Sequence, residues 1–455
     1  MTVEFDVVDK LLAILFSLFI FVNAYIASKF ARTWLTPSGM ISIFWFGYSF
    51  FPLICLFSVP VNELAILYIF FAIFVFVLPS YFFNWHTAFI ANKQKSKLGL
   101  RFKFHTPFLF NTFLYMQILV VIAIFLDVLA QGFSLRDVIF NLMETSSAYI
   151  SLRYSDDIKV SILSRMGTVF TYVGSMLGGL VFCASRKIKV KCLVLFLSLF
   201  PSILVMVIQG AKGTLFLCAV LFYTAFLIYR LYSGNASLTD KRINKNIAIA
   251  LMLLLPAIIS SFLSRGLYDY DMDYIIVRLA QYFSSYAFAH LYAFSDWFSF
   301  YTGDSHLMYY EGQNDYYWGF YTFMSAFKLL GSTIVVPPGV YEEYYQYEDV
   351  IQSNIFTLFR GLILDFGILG SFVFMFLLGL ICSASFYILL RTKHPYFSIS
   401  FFITMAGFYY SSFIISVFIW NSIFFSFIIF ALILYANNLF CKVKVTRASS
   451  EFLNE

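Results

Sequence analysis

Residues 11–31 read LLAILFSLFIFVNAYIASKFA, a run of twenty-one residues with a single charge, Lys29. A helix needs about 20 mostly apolar residues to cross the hydrocarbon of a bilayer. Only helices and closed barrels satisfy their backbone groups there. The run is continuous and does not alternate, so it predicts a helix and not a barrel strand. Runs of the same kind recur at about 38–59, 63–83, 108–130, 161–184, 192–209, 212–230, 247–263, 362–390, 396–416 and 418–440. The expected fold class is therefore an all-α polytopic membrane protein with about eleven transmembrane helices. Composition agrees: 61% of the 455 residues are hydrophobic and 12% are charged. Soluble domains carry roughly 25% charged residues, and one core has no room for so much apolar surface.

Charge sets the expected orientation, because Lys and Arg accumulate in cytoplasmic loops. One set of loops holds Lys93–Lys103, Arg186–Lys191, Arg230–Lys245, Arg391 with Lys393, and Lys442–Arg447. With Lys29 and Arg32 these loops carry 20 of the 30 basic residues and three acids, Asp240, Glu451 and Glu455. The opposite side carries 10 basic and 21 acidic residues. This places the N-terminus outside and the C-terminus in the cytoplasm. The basic residues sit in short loops between spans, so the net charge of +6 points to no nucleic-acid partner. Glu4, Asp6 and Asp9 stand where a signal peptide begins with a basic region. None of the six cysteines falls in a loop outside the membrane, so no disulfide framework is expected.

Two outer segments are long, about 131–160 and 264–361. They divide the chain into an N-terminal transmembrane bundle (1–263), a large outer loop (264–361), and C-terminal spans with a cytoplasmic tail (362–455). A structureless loop of such length is unusual, so 264–361 is expected to hold helices. Within it, 274–300 reads as one helix, with Arg278, Tyr282, Ser285, Tyr292 and Asp296 in a narrow stripe at about 100° per residue. Its apolar remainder suits the membrane interface, and the stripe suits a substrate cleft. Sixteen of the 32 tyrosines lie between Tyr268 and Tyr347. They form either an aromatic belt or a glycan-binding surface, where rings pack on sugar C–H faces and carry a polar tip.

The outer cations are few against an acidic background. Lys212 sits in the turn Gln209-Gly210-Ala211-Lys212-Gly213, Arg265 where a span ends, Arg165 inside the outer end of a span, and Arg360 just before one. Charges at a membrane edge are costly, and guanidinium groups pair with phosphate oxygens. A cluster of them suits a lipid-linked diphosphate; snorkelling to headgroups is the plainer use. His290 and His306 are the outer histidines, and His290 is a candidate general base. The alternating Asp269, Asp271 and Asp273 read as solvated acids before they read as a metal site. No Walker A, dinucleotide, HExxH or Cys/His zinc motif occurs, so no cofactor and no metal is expected.

Asn354-Ile355-Phe356-Thr357, then Arg360, then Asp365-Phe366-Gly367-Ile368-Leu369-Gly370 resembles a stretch of the bacterial oligosaccharide repeat-unit polymerases, the Wzy type that builds O-antigen and capsule. That family commonly has Asn-x-[Phe/Tyr]-Thr followed by Asp-[Phe/Tyr]-Gly-x-x-Gly entering the next helix. The Gly210–Lys212 turn is similar to the family's Gly-x-Arg turn, with Lys in place of Arg; the charge is kept and the planar fork is lost. Arg265 opens the large loop, and the span layout is similar over nearly the whole chain. The resemblance implies a GT-C-like fold in the bacterial inner membrane and a large periplasmic loop. It also implies inverting, metal-independent glycosyl transfer from undecaprenyl-diphosphate-linked oligosaccharide at the periplasmic face. Members commonly work with a chain-length regulator and a flippase.

On that basis the expected catalytic residues are Arg265 and Arg278, stabilising charge on the leaving diphosphate, and His290, activating the acceptor hydroxyl. Lys212, Arg165, Arg360, Tyr282 and Asp296 are the expected substrate-binding residues. Two other readings share the architecture. An O-antigen ligase uses the same donor with a lipid A core acceptor. A lipid-linked oligosaccharide flippase would place its charges near the bilayer midplane, whereas these lie at the outer edge.

Overall fold

The computed structural model describes residues 5–97, 104, 106–154, 161–263, 267, 270–310, 317–334 and 340–451. Among them ten helices are long and apolar enough to cross a membrane. The chain groups into two compact units that interleave along the sequence. The first comprises Met1–His86, Tyr270–Tyr387 and Phe408–Asn421, and the second Thr87–Asp269, Ile388–Gly407 and Ser422–Glu455.

The first unit opens with three apolar helices: α1 (Val7–Ala31), α2 (Pro37–Cys55) and α3 (Glu63–Val77). Each start is written locally. Asp6, Thr36 and Asn62 accept a backbone N–H of the first turn with their side chains, which satisfies donors that a helix leaves open. Pro37 occupies the first helical position of α2, where its missing N–H costs nothing. A short 3-10 turn, Leu78–Phe82, extends α3 to spanning length. α4 (Trp85–Lys97) follows, most of it in the second unit.

The second unit contains α5 (Pro107–Ala130), α6 (Leu135–Phe140), α7 (Leu142–Tyr154), α8 (Ile162–Ala184), α9 (Ile188–Gln209), α10 (Lys212–Tyr232) and α11 (Lys241–Leu263). α8 is the most buried of the spanning helices, and it packs against α5, α9 and α10. Small residues along it, Gly174, Ser175, Gly178 and Gly179, are buried; such residues let helices approach closely in lipid.

The long segment between α11 and the next spanning helix belongs to the first unit from Tyr270 onward. As expected, it carries helices: α12 (Met272–Ala287), α13 (Ala289–Thr302) and α14 (Phe320–Leu329). The single helix expected over 274–300 is corrected to two. The chain breaks at Phe288 (φ −126°, ψ −26°), which ends α12 and begins α13. The segment also holds a hairpin, β1 (Tyr345–Tyr347) with β2 (Ile351–Ser353), paired Tyr345 to Ser353, Gln346 to Gln352 and Tyr347 to Ile351. The hairpin packs on α12 and α13, and Gln352 N donates to Ser285 Oγ at 3.0 Å.

α15 (Thr357–Arg391) then runs for 35 residues and is interrupted at Gly367, whose φ of 69° and ψ of 178° no helix accommodates. Residues with a Cβ rarely adopt that conformation, so the glycine is needed for the break. α16 (Tyr396–Ser411) has sixteen residues, about 24 Å at 1.5 Å per residue. It falls short of the span expected over 396–416, because the chain turns at Ser411 and runs into a 3-10 turn at Val417–Ile419. α17 (Asn421–Glu451) closes the chain. The five described cysteines, Cys55, Cys183, Cys192, Cys218 and Cys382, are free.

Candidate functional site

The strongest concentration of buried charge in the first unit lies around the first turn of α15. Arg360 is 1% exposed and its Nη2 donates to Glu343 Oε1 at 2.9 Å; the Glu343 side chain is 17% exposed. The guanidinium lies over aromatic faces, with Cζ 4.0 Å from the Tyr341 ring centre, 4.3 Å from Phe356, 5.3 Å from Trp297 and 5.6 Å from Tyr310. Ring quadrupoles attract a cation at such distances, most strongly when it is desolvated. Nε and Nη1 are buried and meet no hydrogen-bond partner among the described residues. An arginine so placed holds donors in reserve, because each unmade bond in the interior costs free energy.

The residues flanking Arg360 explain its placement. Phe356 is one wall of the box. Thr357 adopts a left-handed φ of 65°, and its Oγ1 accepts Phe359 N at 3.2 Å. Leu358 N donates to Ser412 O at 2.8 Å. Asp365, wholly buried, accepts Tyr321 N at 3.0 Å, Thr322 N at 2.7 Å and Thr322 Oγ1 at 2.6 Å. It thereby caps the start of α14. The Asn354-to-Gly370 stretch is thus a scaffold in which Arg360 reaches the arm carrying Glu343, Asp365 reaches α14, and Gly367 supplies the break.

α13 forms the floor. Asp296 Oδ1 accepts Leu307 N at 2.6 Å, and Oδ2 accepts Met308 N at 3.1 Å and Tyr310 Oη at 2.8 Å. Burial raises its carboxyl above the usual range, against the lowering effect of these three bonds. Tyr310, which also faces Arg360, is pushed further up by burial and by the Asp296 charge. Tyr292 Oη lies within donating distance of two carbonyls at the end of α2, Pro52 O at 2.9 Å and Leu56 O at 2.8 Å. Lys10 of α1, with no exposed surface, donates to Tyr292 Oη at 3.1 Å and Leu56 O at 3.2 Å.

His290 is buried, with Nε2 3.0 Å from Tyr48 O, so the neutral ring donates from Nε2. Its Nδ1 is buried without a partner among the described residues, and burial lowers the imidazole to about 4. It ties α13 to α2 and presents no open face to an acceptor hydroxyl. Arg278 stands apart on α12: Nε donates to Tyr274 Oη at 2.9 Å and Nη1 to Gln281 Oε1 at 2.6 Å, both on its own helix. Tyr282 is half-buried on the same helix. The break at Phe288 separates Arg278 and Tyr282 from Tyr292 and Asp296, which the expected stripe had joined.

Lys212 and Arg165 belong to the second unit. Gly210, at φ 66°, makes the left-handed turn that ends α9. Lys212 then begins α10, buried, with Nζ 3.2 Å from Ser261 O and 3.9 Å from the Phe262 ring centre. Arg165 is exposed in the first turn of α8. The adjacent cap, Ser161, donates from Oγ to the buried Asp127 at 2.7 Å. Arg265 lies outside the described residues, as does Asp269; Asp271 and Asp273 are exposed. Among the described residues no group of three or more His, Cys, Asp or Glu side chains converges as a metal site.

Arg360 and Asp296, both named from sequence, are therefore in one cluster, bridged by Tyr310. Glu343, Tyr341, Trp297, Tyr310 and Lys10 were not singled out from sequence. Glu343 is seventeen positions from Arg360, and no helix or strand period links them. The fold and this interior define a multi-pass α-helical membrane protein. Comparison with known proteins finds no matching family profile, no matching curated protein and no matching solved structure.

Proposed function

We propose that the protein polymerises lipid-diphosphate-linked oligosaccharide repeat units by inverting glycosyl transfer on the non-cytoplasmic face of a bacterial inner membrane. The observation that carries the reading is Arg360, a buried guanidinium with two donors unused, inside the stretch that resembles the repeat-unit polymerases.

In this reading the hydroxyl oxygen of an incoming unit attacks the anomeric carbon of the growing chain. The bond from that carbon to the diphosphate oxygen breaks, and its electron pair leaves with the undecaprenyl diphosphate. The acceptor proton passes to a base or to water. Negative charge grows on the leaving oxygen, so preorganised cations lower the barrier. Arg360 suits that role because its fork has free donors and its neighbours exclude water, where charge interactions are stronger. Glu343, on the more open edge, is the carboxylate that an entering diphosphate would displace. Arg265 and Arg278 remain proposed partners for the same charge, with Lys212 and Arg165 supporting. Tyr282 and the tyrosine-rich segment contribute surface for the sugars. His290 fits a helix tie better than a proton acceptor.

The test is deletion of the gene in its host followed by electrophoresis of surface polysaccharide. Collapse of a ladder to core plus one repeat unit is expected, with Arg360→Ala failing to restore the ladder while Arg360→Lys restores part of it. Polymer that still builds on the lipid carrier but never reaches lipid A would replace this reading with a ligase. Single lipid-linked units stranded on the cytoplasmic face would replace it with a flippase.

A further inference from the structure

α12 leaves an apolar stripe exposed. At about 100° per residue, Met272, Ile276, Leu279, Phe283 and Tyr286 fall on one stripe. Met272, Ile276 and Phe283 are 71%, 59% and 58% exposed. The opposite side holds Tyr274, Arg278, Gln281 and Ser285. On that side Ser285 is buried and accepts Gln352 N of the hairpin at 3.0 Å, Arg278 and Gln281 are half-buried, and Tyr274 is exposed. Arg278 is tied to Tyr274 and Gln281. A soluble protein turns its helices the other way, apolar side inward. Because the hairpin holds the polar face, the helix cannot roll to hide the stripe.

We infer that α12 seats its apolar stripe in the surface of the bilayer, against lipid hydrocarbon, and so holds the hairpin at membrane level. The argument is independent of the glycosyl-transfer reading. Lipid is already the solvent of this unit, since Leu11, Leu15, Leu18 and Val22 of α1 are exposed as well. The stripe, about 120° wide, is matched to an interfacial helix. Its charge is not: Arg278 is the one cation on α12, and Asp271 and Asp273 flank its start. Hydrocarbon therefore holds the helix, and anionic headgroups do not.

The test is photocross-linking of the full chain in phosphatidylcholine vesicles, with p-benzoylphenylalanine at Phe283 or Ile276 and, as the opposite face, at Tyr274. Phe283 and Ile276 are exposed, and Tyr274, whose hydroxyl accepts Arg278 Nε, marks the side on which Ser285 is buried. The expected result is a phospholipid adduct by mass spectrometry at Phe283 and Ile276, at least about fivefold above Tyr274, unchanged when a third of the lipid is phosphatidylglycerol. A cross-link to a second copy or to another polypeptide overturns the inference, as does equal yield at all three sites. Adducts that form only with phosphatidylglycerol overturn the hydrocarbon seating.

Discussion

α12 and α13 are neighbours in sequence and opposites in environment. α12 buries one residue, Ser285, and leaves an apolar stripe exposed. α13 is buried along its length from Ala289 to Ser299, and its polar groups are spent on internal bonds: His290 to Tyr48, Tyr292 to the end of α2, Asp296 to the turn at Leu307 and Met308. Both helices are aromatic and both carry a few polar residues. One residue, Phe288, separates them. The difference shows that a polar stripe along a helix does not say which side faces the protein; the break lets each half choose its own.

The largest effects are expected where α13 meets α15. Arg360→Ala leaves Glu343 without its cation and opens a void among four rings, costing about 3–5 kcal/mol, as loss of one partner of a buried pair does. Thermal unfolding in micelles measures it. A curve like wild type would mean that the pair behaves as an exposed one, worth under about 1 kcal/mol. Arg360→Lys should fall between, because the charge survives and the planar stacking does not.

Asp296→Ala strands two backbone N–H groups and the Tyr310 hydroxyl, at a cost on the order of 3 kcal/mol. Limited proteolysis should then cut first at 303–310. A digestion pattern identical to wild type would detach Asp296 from the order of that turn.

The His290 imidazole, lowered to about 4 by burial, predicts a pH window. The folded state binds the proton less readily than the unfolded chain, whose histidine titrates near about 6.5. Stability is therefore full above that pH and is lost as pH falls toward 4, by about 3 kcal/mol from this group. Asp296, raised by burial, works with the opposite sign: it holds its proton longer when folded and loses stability as pH rises through its folded value. A comparison of wild type with His290→Asn isolates the histidine. The variant should show a shallower decline between pH 6.5 and 4, and an unchanged slope would mean that the ring is hydrated.

The smallest effect is expected on α12. Arg278→Ala removes bonds made only within its own helix, and should cost under about 0.5 kcal/mol. A loss as large as that of Arg360→Ala would erase the contrast between the two helices. Near-native stability with lost polymerisation would assign Arg278 to the substrate.

The sequence by itself determined the membrane class and the position of nearly every spanning helix, because about 20 consecutive apolar residues have one stable form in lipid. The caps Asp6, Thr36, Asn62 and Ser161 act on donors two or three residues away, so the helix starts too are a local matter, though no cap was read from the sequence. Asp365 and Gly367 stood out only through the resemblance of the 354–370 stretch, and the break at Gly367 was found in the structure. What the sequence did not determine was direction and partnership. Tertiary structure decided that the 274–300 segment is two helices, that Arg278 turns to its own helix while Arg360 is enclosed, and that Glu343, Tyr341 and Trp297 surround the guanidinium. It also decided that Lys10, fourth in the first span, meets Tyr292 across 282 positions. Hydrophobic periodicity and capping are local rules of three or four residues. Contacts between side chains so far apart are chosen only when the whole unit packs, and no local spacing records them.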